Sequence, residues 1–172
     1  MNYSLVSKES RRLSIKEIKS ICKLKDSKWK FGVRSQINWF KKNIKSNDIH
    51  NLFFIDSKLI GYTLLRKRGF TINNNRKKLK YLLFDSLIID RNFRKKKLSN
   101  LQMLFNNTII KKLRLFSFLV CEKRIIKFYK KFGWKEMNNK NFVIKDHLFL
   151  THGMTFNKKT FKNRKYFFYF SK

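Results

Sequence analysis

The stretch Tyr81-Leu82-Leu83-Phe84-Asp85-Ser86-Leu87-Ile88-Ile89-Asp90-Arg91-Asn92-Phe93-Arg94-Lys95-Lys96-Lys97-Leu98-Ser99 decides how this chain is read. Its first half is apolar except for Asp85 and Ser86, as a buried central strand over Leu79–Asp90 would be. Arg91 to Lys97 follow as a basic loop. Beyond the loop, Leu101, Leu104, Phe105, Thr108, Ile109 and Lys112 recur at helical spacing, which predicts a helix over Ser99–Leu113 with Ser99 as its N-cap. A helix N-terminus presents unpaired backbone N–H groups and the positive end of its dipole. With Arg91, Arg94, Lys95, Lys96 and Lys97 at its mouth, this one suits a pyrophosphate. The competing reading is a solvated basic turn, since lysine is frequent everywhere in the chain.

Working outward, Tyr3 to Ser14 reads as a first strand. Ser14-Ile15-Lys16-Glu17 is a capping box, after which Ile15, Ile18, Ile21 and Cys22 mark a helix face. A second helix fits Val33–Ile44. His50–Ile55 and Leu59–Arg66 form a hairpin around Asp56-Ser57-Lys58, and Thr71–Lys78 reads as a polar loop. On the other side, Leu115–Cys121 is a buried strand and Lys123–Phe132 an amphipathic helix ending at Gly133. The tail from Asn141 onward gives two or three closing strands. Strand, helix, strand in the middle of the chain implies a mixed sheet with a crossover helix. The expectation is an α/β (α+β mixed-sheet) fold of six to seven strands and about four helices. At 172 residues it forms one domain, 1–172.

Lysine and arginine number 43 against 10 acids, a formal net charge of +33, which attracts polyanions. The chain also has no proline, five glycines and no alanine. An AT-rich genome would produce the same bias and raise lysine with no partner selecting it. The apolar fraction of 42% supports a packed core, which argues against disorder. Cys22 and Cys121 imply no disulfide framework, and no apolar segment follows Met1 as a signal peptide requires. No apolar run approaches the roughly 20 residues of a membrane helix. The expectation is a reduced, cytoplasmic protein without a membrane span. His50, His147 and His152 lack metal-ligand spacing, so no metal is expected.

Three motifs stand in order: Leu59-Ile60-Gly61-Tyr62 on a hairpin strand, Ile89 to Ser99 at the strand–helix junction, and Phe128-Tyr129-Lys130-Lys131-Phe132-Gly133-Trp134. Together they resemble the GNAT superfamily of N-acetyltransferases. Its junction reads Val-x-Pro-x-Tyr-Arg-Gly-x-Gly-x-Gly, and its later helix carries Phe-Tyr-x-x-x-Gly-Phe. Ile89, Phe93 and Arg94 take the Val, Tyr and Arg places. Lys97 and Ser99 stand where the family has Gly, so a Cβ enters a loop that must approach phosphates closely.

The resemblance implies acetyl-CoA as co-substrate, lying in a splay between the strands Tyr81–Ile89 and Leu115–Cys121. Backbone of Leu87, Ile88 and Ile89 would pair with the pantetheine arm, and Arg94, Lys95, Lys96, Lys97, Leu98 and Ser99 would hold the pyrophosphate. Cys121 sits where the family places a polar contact to pantetheine. Tyr129 corresponds to the tyrosine that protonates the leaving thiolate, a general-acid role; its structural alternative is a core aromatic. Asp85 is the candidate base, because a carboxylate inside an apolar strand is costly unless used or paired. A hydrogen-bonded Asp at a strand bulge explains it equally well, and Glu122 is a weaker candidate. The resemblance places His50 near the acceptor pocket.

The implied activity is acetyl transfer to a primary amine of a small molecule, with an anionic acceptor such as a nucleotide-linked amino sugar matching the positive charge. Two rivals are a basic nucleic-acid- or ribosome-associated protein and a degenerate member of the fold that binds no coenzyme. Nucleic acid is compatible with the charge but not favoured, because Lys and Arg are spread along the chain rather than clustered. The oligomeric state is not set by the sequence, and a homodimer is compatible with it.

Overall fold

In the computed structural model, which describes residues 2–73, 75–147, 152–157 and 164–171, the capping box forms as its residues require. The Ser14 side chain accepts from the Glu17 amide at 3.2 Å, and the Glu17 carboxylate accepts from the Ser14 amide at 2.8 Å. Helix α1 (Ile15–Lys28) follows, then α2 (Val33–Asn43), α3 (Leu98–Lys112) and the short α4 (Ile126–Lys130). The strands are β1 (Tyr3–Glu9), β2 (Ile49–Ile55), β3 (Lys58–Ile72), β4 (Leu79–Ile89), β5 (Ser117–Cys121), β6 (Lys135–Glu136), β7 (Phe142–Ile144), β8 (His152–Phe156) and β9 (Tyr166–Phe168). The chain packs as two compact units, Met1–Arg66 with Asp85–Asn106, and Lys67–Phe84 with Asn107–Lys172.

In the first unit β1, β2 and β3 run antiparallel, Leu5 opposite Phe53 and Leu52 opposite Tyr62. The β2–β3 turn places Asp56 and Ser57 at φ of 44° and 66°, the left-handed pair that a tight hairpin demands. On one face Ile21, Cys22, Leu24 and Phe40 of the first two helices pack on Leu52, Tyr62, Leu64 and Ile88. The other face carries a polar clamp to α3. Asn51 donates to Asn106 at 2.6 Å, Asn106 to the Thr63 hydroxyl at 3.1 Å, and Gln102 to the Asn51 carbonyl at 3.0 Å. These four side chains are fully buried, so their bonds fix the helix in one register where apolar contacts alone would let it slide. Gly61 is required here by space: a Cβ would stand 2.9 Å from Ile89 Cδ1 and 3.2 Å from Gln102 Oε1.

In the second unit β4 and β5 are parallel, β5 and β8 antiparallel, β6 pairs with β8, and β9 joins β3 on one side and β7 on the other. Its core is aromatic: Phe118 stacks on Phe168 at 3.9 Å, and Phe70 meets Phe116 edge-on at 4.8 Å. Nine strands thus appear among the described residues, in the mixed sheet with four helices that was expected, seven of them on its main path and β7 and β9 off it. Two-residue β6 has no periodicity to read, and the closing segment divides into more pieces than its apolar runs mark. Strand β3 also continues past Arg66. Its Lys67 and Arg68 look like a stop, but Arg68 is buried and donates to the Phe170 carbonyl at 3.1 Å. The first strand ends early in a 3-10 turn at Ser10–Arg12, and α4 is shorter than the expected Lys123–Phe132 because Lys123–Ile125 form a separate 3-10 turn. The tail reading over 148–151 and 158–163 lies outside the described residues.

His50 is sealed in the first unit's core, not at an acceptor pocket. The Ser10 hydroxyl donates to the Asp48 carbonyl at 3.1 Å, so it accepts from His50 Nε2–H at 2.8 Å, and Nδ1 accepts from the Tyr62 hydroxyl at 2.9 Å. Burial is the main cause that lowers the His50 pKa to about 4 from 6.5, with Lys25 adding to it and Asp48 opposing. Between those values the unfolded chain binds more protons than the folded one, so stability rises with pH across that window. Urea unfolding at a pH series should show a gain of up to roughly 3 kcal/mol from about pH 4 to 6.5. His50→Gln, which cannot take up that proton, should give a flatter profile over the same interval.

Candidate active site

The pleat of β4 is broken at Ser86, which takes a φ of 64° inside the strand. Its hydroxyl donates to Asp85 Oδ1 at 2.7 Å, while Arg66 Nη1 lies 3.5 Å from Asp85 Oδ2. Asp85 is therefore a paired, hydrogen-bonded carboxylate at a strand kink. Arg66 in turn lies over the Trp39 ring, 5.5 Å from its centroid, and the Lys25 ammonium is 3.7 Å from the same centroid. Lys25 is almost wholly buried, and desolvation lowers its pKa, with Asp85 and Cys22 opposing that shift and Arg66 adding to it.

Past Ile89 the chain turns sharply. The Asp90 side chain accepts from the Asn92 amide at 3.0 Å, and the Asp90 amide donates to the Ile60 carbonyl at 2.7 Å. Arg94 Nε donates back to the Ile89 carbonyl at 3.1 Å, tying the loop to the strand end. Lys95 and Lys97 then adopt φ of 64° and 55°. The loop thus keeps left-handed backbone at Lys97 without glycine, and Lys95 shares it, a feature the sequence reading did not single out. Left-handed residues at alternate positions turn successive N–H groups to one side, forming an anion-binding concavity. Each non-glycine residue so held costs about 1 kcal/mol, an expense the surrounding bonds must offset. Helix α3 begins at Leu98, so Ser99 is a first-turn residue and not the N-cap expected for it.

Leu87, Ile88, Ile89, Arg94, Lys95, Lys97, Leu98 and Ser99 line one cavity of about 290 Å³, together with Phe93 and Lys28. All belong to the first unit. The lining carries four cations and no acid, so the cavity favours an anion. Lys96 is not part of the lining, and its ammonium stands 5.7 Å from the Phe93 ring centroid. Lys28, the last residue of α1, escaped the sequence reading because nothing local links it to a loop more than sixty residues away.

The second unit holds Cys121 and Tyr129. The parallel ladder between β4 and β5 has two rungs, Leu82↔Ser117 and Leu83↔Phe118, whereas β5 pairs with β8 through Cys121. Burial pushes the Cys121 thiol up to about 11, helped by Glu136 and Glu122, so it is a neutral thiol at physiological pH. Tyr129 is buried against Phe84, Phe128 and Trp134 at ring distances of 6.1, 5.3 and 5.9 Å. Burial, and then Cys121, raises its phenol pKa far above the usual value, so the hydroxyl keeps its proton. Trp134, also buried, donates to Asn107 Oδ1 at 3.0 Å, and Asn107 donates to the Phe132 carbonyl at 2.9 Å. Gly133 between them has a φ of 79°, which explains the glycine in the motif. Glu122 is exposed and paired with Arg124 at 2.5 Å.

Among solved structures, Escherichia coli ElaA superposes with a TM-score of 0.65 at 14% identity, over 90% of this chain and 99% of that one. An acyl-CoA N-acyltransferase from Pseudomonas aeruginosa gives 0.64 at 15% identity, over 90% and 99%. The chain has the GNAT acetyltransferase fold. An aminoglycoside 6'-N-acetyltransferase complexed with coenzyme A shares the GNAT fold with a TM-score of 0.63, 10% identity, and 87% and 95% coverage. No family model matches the chain, and no curated protein matches it in sequence. At these identities the likeness is one of fold.

Because Lys97 is held left-handed, Lys97→Gly should relieve the backbone strain and raise the melting temperature by about 2–4 °C. Lys97→Val, with a β-branched side chain at the same backbone angle, should lower it by at least as much in the same thermal scan.

Proposed function

We propose that the protein transfers an acetyl group from acetyl-CoA to a primary amine. The observation that carries this reading is the cationic cavity at the end of β4, lined by the left-handed residues 95 and 97 and by the first residues of α3. The ligand such a cradle fits is a pyrophosphate joined to an extended amide-bearing arm. Arg94, Lys95, Lys97 and Ser99 hold the pyrophosphate, and Lys96 adds charge from outside the cavity. Leu98 is mostly buried among Phe53, Ile55, Ile60 and Ile89, so its contribution is its backbone amide. Backbone of Leu87, Ile88 and Ile89 pairs with the pantetheine arm as an added strand.

The acceptor amine, once neutral, attacks the thioester carbonyl, and backbone N–H groups of β4 stabilise the oxyanion that develops. Asp85 takes up the amine's proton through the lone pairs left over from Ser86 and Arg66. Collapse of the tetrahedral intermediate expels the thiolate. Tyr129, kept protonated by its aromatic surroundings, donates to that sulfur, and Cys121 contributes packing rather than a nucleophile. Retention of glycine-like backbone in a loop with no glycine argues against a degenerate, coenzyme-free protein. The net charge of +33 supports an anionic acceptor, with a nucleotide-linked amino sugar as the kind of amine that fits.

Acetyl-CoA should raise the melting temperature by mass action, while RNA at the same nucleotide concentration should not. Tyr129→Phe should lower kcat by about 10²–10⁴-fold in a thiol-release assay and leave the coenzyme-induced melting shift in place. Unchanged turnover in that variant would remove Tyr129 from the reaction.

A further inference from the structure

The second unit has a cavity of its own, of about 590 Å³, within the roughly 300–1,000 Å³ usual for small-molecule sites. Buried Phe70 and half-buried Leu79, Leu115 and Phe116 give it an apolar lining. Phe70 belongs to the aromatic core of this unit and Leu79 and Phe116 pack against that core, so the lining is held in place. The charged members of the lining are Lys80, Lys111 and Arg114, all exposed, and no acid is among them. Asn157 completes it, with its Nδ2 donating to the Leu115 carbonyl at 2.9 Å, and adds no charge.

Lys111 and Arg114 stand at the C-terminal end of α3, where a cation meets the negative end of the helix dipole. Lys80 has no such reason, and it reaches the same cavity from the start of β4. The Lys111 ammonium is 5.9 Å from the Phe156 ring centroid, near the limit of about 6 Å for a cation–π contact. No carboxylate pairs with any of the three cations among the described residues. Arg114 has a φ of 54°, the left-handed position after a helix that glycine usually fills, so the chain carries a cation where bare backbone would serve. Lysine is frequent along the whole chain, and what singles out this place is an apolar recess bordered by three cations from two elements and a turn. Such a recess favours an apolar body, and the cations favour an anionic end on it.

We propose that this cavity binds a small amphiphilic carboxylate, with its apolar body against Phe70, Leu79, Leu115 and Phe116 and its head among Lys80, Lys111 and Arg114. A fatty acid and an aromatic acid share that chemistry. The lining has no residue in common with the cavity at residues 87–99, so the inference stands apart from the coenzyme reading.

The test is titration of the isotope-labelled full chain with octanoate, phenylacetate, octanol and acetate at constant ionic strength, followed through backbone amide shifts. Octanoate or phenylacetate should shift Lys80, Leu115 and Phe116, and the tighter of the two identifies the body as a chain or a ring. Acetate, which lacks the body, and octanol, which lacks the charge, should each bind at least about tenfold more weakly than octanoate. Lys111→Gln combined with Arg114→Gln, both at exposed positions, should weaken the preferred carboxylate by about tenfold and leave octanol unchanged. Octanol binding as tightly as octanoate overturns the inference, because the cations then take no part. Shifts confined to residues 87–99, or none at millimolar carboxylate, also overturn it. Should the double variant not fold, the comparison of octanoate with octanol and acetate on the unaltered chain decides the question by itself.

Discussion

The structure depends on one backbone constraint: residues 95 and 97 must stay left-handed although both are lysines. Side-chain sterics oppose that geometry, so it persists only where neighbouring bonds over-determine it. Those bonds can be followed outward. Arg94 is tied to the Ile89 carbonyl, Asp90 closes the turn through Asn92, and its amide is held by Ile60 on β3. Gly61 lets Ile89 and Gln102 close over that strand without a side chain between them. Gln102 and Asn106 then lock α3 to β2 and β3, which fixes where its first turn points. A loop of this sequence in isolation would be a solvated basic turn, and inside this frame it becomes one wall of a cavity lined by four cations.

Charge is arranged in the same spirit. Four cations line the cavity without an acid among them, whereas Lys25 and Arg66 lie over the Trp39 ring and Asp85 pairs with Arg66. The first arrangement favours an anion, and the second holds polar groups at low hydration, where their reactivity changes. In the second unit the opposite device is used: Tyr129 and Cys121 sit among aromatic and aliphatic side chains that hold both in their protonated forms.

Much of this was legible in the residues. The capping box at Ser14, the hairpin at Asp56–Lys58 and the long apolar run of β4 each carry a local signal, and each forms where that signal places it. The Phe-Tyr-x-x-x-Gly-Trp motif was also legible, because Gly133 and Trp134 have fixed conformational and packing tasks. Other features depend on partners distant in sequence. Nothing local to Lys67 and Arg68 announces that a strand runs through them, since the carbonyl that accepts from Arg68 lies near the chain's end. Lys28 and Lys25 gave no signal because helix position alone does not name the wall opposite. His50 was read toward an acceptor pocket because its partners, Ser10 and Tyr62, come from separate strand segments. Ser99 was read as the cap two residues too late, since the helix already begins at Leu98, after a Lys97 that takes a backbone role normally left to glycine.

The central claim is that the amides of residues 95–99 and the strand edge at residues 87–89 grip a pyrophosphate-linked arm. Hydrogen exchange measured on those backbone amides with and without acetyl-CoA tests it directly. The account predicts slower exchange in these two segments on addition of the coenzyme, with the polar loop at 75–78 unaffected. Saturating acetyl-CoA that leaves exchange over 87–89 and 95–99 unchanged would contradict it.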